Sequence, residues 1–297
     1  QLEQGGLSPW QCPWTKTGEP PMPYNWLTKQ PYNGINILLL WDAASRMGYS
    51  TNTWLTFKQA QQLGGCVRKG EKSVRCIFYK TLEVEDRDAE TDAQGQDRKV
   101  SLPCMREFSL FNIEQVDGLS DLPSEPKQPA YDAIWAEDDD AIWAIDTIAK
   151  DYCHNTAVKI RHGGDRAFYS PTLDMIRLPT TFHKGSDYAA TLAHELIHST
   201  GHKSRLDRFS DQTGDLSGLE ASYAFEELVA ELGAAFVCAE LRVQGQHEQH
   251  ASYIDHWLGH LRNDKTFLFK AAAQAGKAYR LLMQGGVPVE TPLSSAA

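Results

Sequence analysis

The chain has 297 residues, 41% of them hydrophobic, and a formal net charge of −10 at pH 7. That length and apolar content exclude a disordered chain or a small stapled scaffold and predict two domains with cores of their own. No apolar run of about eighteen residues, no charged start with an apolar stretch behind it and no C-x-x-C pair occur among six cysteines, so the expectation is a soluble, cytoplasmic protein with free thiols and no membrane contact.

The charge is unevenly spread. Residues 1–80 hold nine Lys or Arg against four Asp or Glu, a net of +5, whereas residues 81–297 hold twenty against thirty-five, a net of −15. Five of the eight tryptophans also fall within the first 54 residues. Bases of a single strand stack on exposed rings for about 1–3 kcal/mol each while cations follow the phosphates, so a basic, aromatic module suits single-stranded nucleic acid.

In chain order, Trp10, Trp14, Tyr24, Trp26 and Tyr32 come first, among Pro9, Pro13, Pro20, Pro21, Pro23, Pro31, Gly18 and Gly34. That stretch is too broken for a regular element, which leaves its rings available for contact. The apolar run Ile35–Trp41 belongs in a core, and Trp54 with Phe57 predicts a second packed helix. Next, Arg68, Lys69, Lys72 and Arg75 cluster around Gly64, Gly65 and Gly70 before a strand over Ser73–Lys80. They read either as a grip on a phosphate backbone or as a solvated basic turn. Residues 81–100 are polar and predict an exposed hairpin insertion, and the Pro-rich, acidic stretch 117–130 predicts a linker.

In the second half, Ala167–Pro179 predicts a short strand or hairpin. A helix over Asp187–Thr200, capped by Ser186 or Asp187 and closed by a left-handed Gly201, carries His194-Glu195-Leu196-Ile197-His198. Spacing of four puts His194 and His198 one turn apart on one face, where they can share a divalent metal, with Glu195 beside them to handle the proton of an attacking water. A third protein ligand is needed. Glu227, 29 residues after His198, lies on a second predicted helix over Tyr223–Phe236 and is the first choice, with Glu226, about 100° round the helix, second. Glu231, one turn beyond Glu227, would orient a ligand histidine. The H-E-x-x-H-x-x-G-x-x-H alternative fails at Ser204, and His202 reads as a surface histidine or one that touches substrate. These parts suit metal-dependent peptide hydrolysis, with zinc as the expected ion and manganese or cobalt as alternatives. Helices near Ala251–Arg262 and Thr266–Leu282 complete this half, and the tail from Gly285 is expected to fray.

The runs Tyr32–Trp41, Trp54–Ala60 and Gly64–Lys72 resemble the N-terminal domain of ArdC antirestriction proteins and the related amino-terminal part of TraC-type plasmid primases. The runs His194–Arg208 and Tyr223–Phe236 look like the zincin-type metallopeptidase half of the same family. The resemblance implies an α+β fold with an N-terminal α+β single-stranded-DNA-binding domain at 1–116 and a zincin-like metallopeptidase domain, similar to the SprT and Spartan proteases, at 131–297. It further implies a plasmid-borne protein that shields DNA entering a new host from restriction during conjugation, with DNA-bound proteins or restriction enzymes as substrate or target. Two rival readings are a DNA-binding shield whose metal only supports the fold, and a general metallopeptidase with an aromatic-rich peptide-binding domain.

Overall fold

A computed structural model of the chain describes residues 22–85, 99–119, 138–209, 216–243 and 266–287. The apolar run at 35–41 forms the start of helix α1 (Ile35–Met47), which is buried on two faces. Ile37, Leu38 and Trp41 enter the large core made mainly by the second half of the chain. Leu40, Ala43 and Ala44 pack instead with Trp54, Cys76 and Leu110. The two halves therefore share a core through α1, where the sequence predicts a core for each.

Around α1 lies a mixed sheet of order β1-β2-β5-β4, built from β1 (Tyr24–Asn25), β2 (Thr53–Leu55), β4 (Val74–Glu85) and β5 (Lys99–Asn112). The last two form an antiparallel ladder that runs without a break from Val74↔Leu110 to Glu85↔Lys99. The hairpin expected over 81–100 is thus the end of this ladder, and its tip at 86–98 lies outside the described residues. Asn36 closes part of the exposed β4 edge: its amide donates to Ile77 O and accepts from Ile77 N–H, both at 2.8 Å. A short helix α2 (Phe57–Gln62) starts in a reciprocal capping box between Thr56 and Gln59. A small pair of strands, β3 (Cys66–Val67) and β6 (Val116–Asp117), completes this half.

The second half opens with helix α3 (Asp138–Thr156) and a three-stranded sheet of order β7-β9-β8, comprising β7 (Lys159–His162), β8 (Phe168–Ser170) and β9 (Met175–Leu178). The predicted hairpin is β8–β9, and β8 is an edge. Ile176 and Leu178 turn inward to the core. Above them lie α4 (Gly185–Ser199), α5 (Leu216–Glu240) and α6 (Phe267–Met283). The expected elements at 117–130 and 251–262 and the tail beyond 287 fall largely or wholly outside the described residues. No described helix is long and apolar enough to cross a membrane.

Both ends of α4 differ from the sequence expectation. The helix begins at Gly185 after Lys184, with no side-chain cap, while Asp187 sits in the first turn where its charge favours the helix dipole. At the other end Thr200 closes it in right-handed conformation (φ −61°, ψ −20°). Gly201 is instead needed for space: a Cβ there would lie 2.8 Å from Phe209 Cζ and 3.0 Å from Arg208 Nη2. The small residue admits the returning turn that brings Arg208 back onto the helix.

Candidate metal centre

Helices α4 and α5 approach closely because Gly233 faces Ile197, where a Cβ would stand 2.8 Å from the isoleucine side chain. Across this contact α4 presents His194, Glu195 and His198, and α5 presents Glu226, Glu227 and Glu231. The Nε2 atoms of the two histidines are 3.0 Å apart. Glu227 meets both, Oε2 at 3.6 Å from His194 Nε2 and Oε1 at 3.5 Å from His198 Nε2. One donor atom from each of His194, His198 and Glu227 falls within 4.8 Å of the others. Two imidazoles and a carboxylate around one point are the donor set of a zincin-type divalent cation.

The outward nitrogens face carboxylates as well. His194 Nδ1 is 3.5 Å from Glu231 Oε1. His198 Nδ1 is 3.2 Å from Glu226 Oε1, so the residue weighed as an alternative ligand stands behind the second histidine. Arg208 fixes Glu226 there by donating Nε–H and Nη2–H to its two oxygens at 2.9 and 2.6 Å, and it also donates to Thr200 Oγ1 and Ile197 O. Sequence reasoning missed Arg208, which belongs to no helix period and reaches a partner 18 positions on.

The electrostatics follow from burial and neighbours. Burial works against charge on His194, but the carboxylates of Glu227, Glu231 and Glu195 lift it to about 9. Glu227 is desolvated too, yet hydrogen bonds from His194 and the Tyr223 phenol and the nearby imidazoles hold it below the usual carboxylate range. Arg208 and His198 do the same for Glu226 against its burial. Glu195 goes the other way, because burial pushes its carboxyl up more than the two histidines pull it down. It is 6% exposed, and its Oε2 is buried with no hydrogen-bond partner among the described residues. A buried carboxylate oxygen left in that state beside three converging donors fits a site built for a further group.

The hairpin is tied to this centre. The Tyr169 backbone N–H on β8 donates to Glu195. Arg205, its side chain 4% exposed, donates to Asp174 at 3.0 Å, to Tyr169 Oη at 3.1 Å and to Ser199 O at 2.8 Å, clamping the hairpin to the end of α4. Tyr223 lies one turn before Glu227 and is 55% exposed. His202 is turned into its own loop, where Ser204 N–H donates to its Nδ1 at 3.2 Å, and it is not among the converging donors.

The aromatic stretch of the first half behaves otherwise than its Pro and Gly content predicts. Tyr24 and Trp26 are 5% and 4% exposed. Their backbone N–H groups pair with Asn52 O and Trp54 O, which draws both rings into a small core with Leu55, Ala60 and Val116. Tyr32 is half-buried and its hydroxyl accepts from Asn25 Nδ2 at 2.9 Å. Trp10 and Trp14 lie outside the described residues. Phe57, expected to be packed, is 46% exposed and lies 6.3 Å from Phe111 on the sheet surface. Arg68 is bound to Glu71, Asp117 and Glu114 O, and Arg75 lies 3.7 Å from Glu107. Lys69 and Lys72 are exposed, with no ion pair among the described residues.

The fold and the α4–α5 site define a protein with a zincin-like metallopeptidase domain, a class that implies a divalent metal; the model of that domain, described as "Zincin-like metallopeptidase", matches residues 147–274. Residues 1–111 match the N-terminal domain of anti-restriction factor ArdC. The crystal structure of the antirestriction ArdC protein from plasmid R388, solved metal-free and Mn(II)-bound, superposes with a TM-score of 0.72 at 37% and 36% identity, covering 96% of this chain and 93% of that one. An uncharacterized protein of Sinorhizobium fredii, y4eC, is 37% identical over 92% of this chain and 84% of its own. Two DNA primases TraC of Escherichia coli are 38% and 37% identical, but the chain spans only 18% and 25% of their length. The chain belongs to the ArdC antirestriction family.

Proposed function

We propose that the chain protects DNA entering a new host from restriction during conjugation, by binding it as a single strand and by hydrolysing proteins on it at a metal-dependent peptidase site. The observation that carries this reading is the convergence of His194, His198 and Glu227 within 4.8 Å beside the buried, under-satisfied Glu195. His194 and His198 would hold the cation through Nε2 and Glu227 through its carboxylate. A zinc ion in such a set, or manganese as in the plasmid R388 relative, supplies Lewis-acid polarisation of the scissile carbonyl and makes water a usable nucleophile near neutral pH.

The chain's own groups do the rest. Glu226 accepts the Nδ1–H proton of His198 at 3.2 Å, and the Glu231 carboxylate faces Nδ1 of His194 at 3.5 Å, so both rings turn Nε2 inward. Glu195 takes the proton of the attacking water and delivers it to the leaving amine; its upward-shifted carboxyl suits a group that must hold a proton between those events. Tyr223 donates its phenol proton to Glu227 and so helps keep that carboxylate ionised as a ligand. The β8 edge offers backbone groups to an extended substrate. Exposed Lys69, Lys72 and Arg75 supply phosphate contacts in the first half, in place of the buried Tyr24 and Trp26.

The test is cleavage of a protein bound to a single-stranded oligonucleotide by the chain loaded with zinc or manganese. Fragments are expected with metal and none after chelation. Intact substrate under every metal removes the peptidase half of the reading.

A further inference from the structure

The peptidase half carries its own cationic surface, although its net charge is strongly negative. Parallel β7 and β9 bring Arg161 directly opposite Arg177, and antiparallel β8 brings Phe168 opposite Arg177, so the three form one row across the sheet. The row behind it, Ile160, Ile176 and Tyr169, packs into the core, so the row of Arg161, Arg177 and Phe168 is on the outer face. Lys159, two residues before Arg161 on the same strand, shares that face. Phe168 is 44% exposed. Arg177 is fixed by Nε–H donation to Gly163 O at 2.8 Å, and its guanidinium lies against the Gly163 backbone, where a Cβ would meet Nη2 at 3.0 Å.

Two cations directly opposite each other across neighbouring strands repel. Among the described residues Lys159, Arg161 and Arg177 take part in no ion pair, Arg177 donates only to the Gly163 carbonyl, and Asp174 is engaged by Arg205. The arrangement is the one an anionic occupant would stabilise. An exposed ring at the end of the row selects among anions, since it offers a stacking surface to a base while the guanidiniums hold phosphates. The row spans about 10 Å, two strand spacings. Its aromatic end is one residue from Tyr169, whose backbone N–H reaches Glu195.

We infer that the outer face of the β7-β9-β8 sheet is a second contact for single-stranded DNA, carried by Lys159, Arg161, Arg177 and Phe168 and ending at the β8 edge. This inference rests on the DNA-binding reading above and adds to it a site on the peptidase half. A protein attached to a strand held there is presented at the β8 edge, so the contact couples DNA binding to the choice of substrate.

The test uses the full chain and a fluorescein-labelled oligothymidylate, with anisotropy titrations at several salt concentrations. Lys159→Ala/Arg161→Ala should weaken binding at low salt about tenfold or more and reduce the slope of log affinity against log salt by about 1.4, about 0.7 for each phosphate contact to a single strand. Phe168→Ala should weaken binding about fivefold or more and leave the slope unchanged. Ultraviolet crosslinking of the wild-type chain to a bromodeoxyuridine oligonucleotide should label a peptide within residues 159–177, a readout that needs no variant to fold. Variants that bind like wild type, with crosslinks confined to the first half, overturn the inference and leave the DNA-binding reading standing. Loss of binding to a polyglutamate peptide but not to the oligonucleotide overturns it in favour of an acidic protein partner. A wild-type chain that ignores the oligonucleotide sinks both.

Discussion

The Nε2 atoms of His194 and His198 face each other at 3.0 Å, with Glu227 against both and a further carboxylate behind each ring. In the absence of metal a proton must stand where the cation would, and His194, at about 9, is the group that keeps it. Metal and proton therefore compete. His194 is raised from 6.5, so its contribution to the stability of the metal-free protein is fully present below about 6.5 and is lost as pH rises through about 9. Metal affinity should move the opposite way, rising about tenfold per pH unit across that window as one proton is displaced. Calorimetric titrations with zinc or manganese in buffers of different ionisation enthalpy check both the slope and the proton count.

Glu195→Gln should retain metal and oligonucleotide binding while lowering cleavage at least about a hundredfold, because the proton of water has no acceptor. Removing a buried charge with an unsatisfied oxygen should also raise thermal stability, by about 1 kcal/mol. Plasmid transfer into a restricting host then separates two routes to protection. If protection survives in this variant, occupancy of the DNA suffices; if it is lost with cleavage, hydrolysis is needed.

Arg208 and Glu226, with side chains 4% and 8% exposed, form the buried pair behind His198. Arg208→Met leaves the carboxylate without its partner and should destabilise the fold by about 3–5 kcal/mol. The double variant Arg208→Met/Glu226→Leu removes both charges and should recover most of that loss in a denaturant titration. Its metal affinity should nonetheless stay about 10–100-fold below wild type, because His198 has lost the acceptor that orients it.

In the first half, buried and exposed candidates should separate cleanly. Trp26→Ala opens a cavity in the core with Leu55 and Val116 and should cost about 3–5 kcal/mol of stability. Lys69→Ala/Lys72→Ala should leave the melting temperature unchanged and flatten the salt dependence of oligonucleotide binding by about 1.4.

What the sequence makes legible is whatever depends on helix period. His194, Glu195 and His198 are readable from spacing alone, and Glu227 with Glu231 from the apolar pattern around them, because both helices keep their register from end to end. Position between elements is not readable in that way. Tyr24 and Trp26 look exposed amid prolines, yet two backbone hydrogen bonds to Asn52 and Trp54 bury them. Arg208 returns to Glu226 only because Gly201 leaves room for the turn. The row of Arg161, Arg177 and Phe168 arises from pairing between strands of which two are parallel, and no local pattern announces that register.

The peptidase chemistry requires one cation held by His194, His198 and Glu227. Crystals soaked in Mn(II) or Zn(II) and measured at the metal's absorption edge test it directly. A single anomalous peak is expected within about 2.0–2.3 Å of both Nε2 atoms and a Glu227 oxygen. No peak between these three side chains after soaking, or a peak held by other residues, would contradict the account.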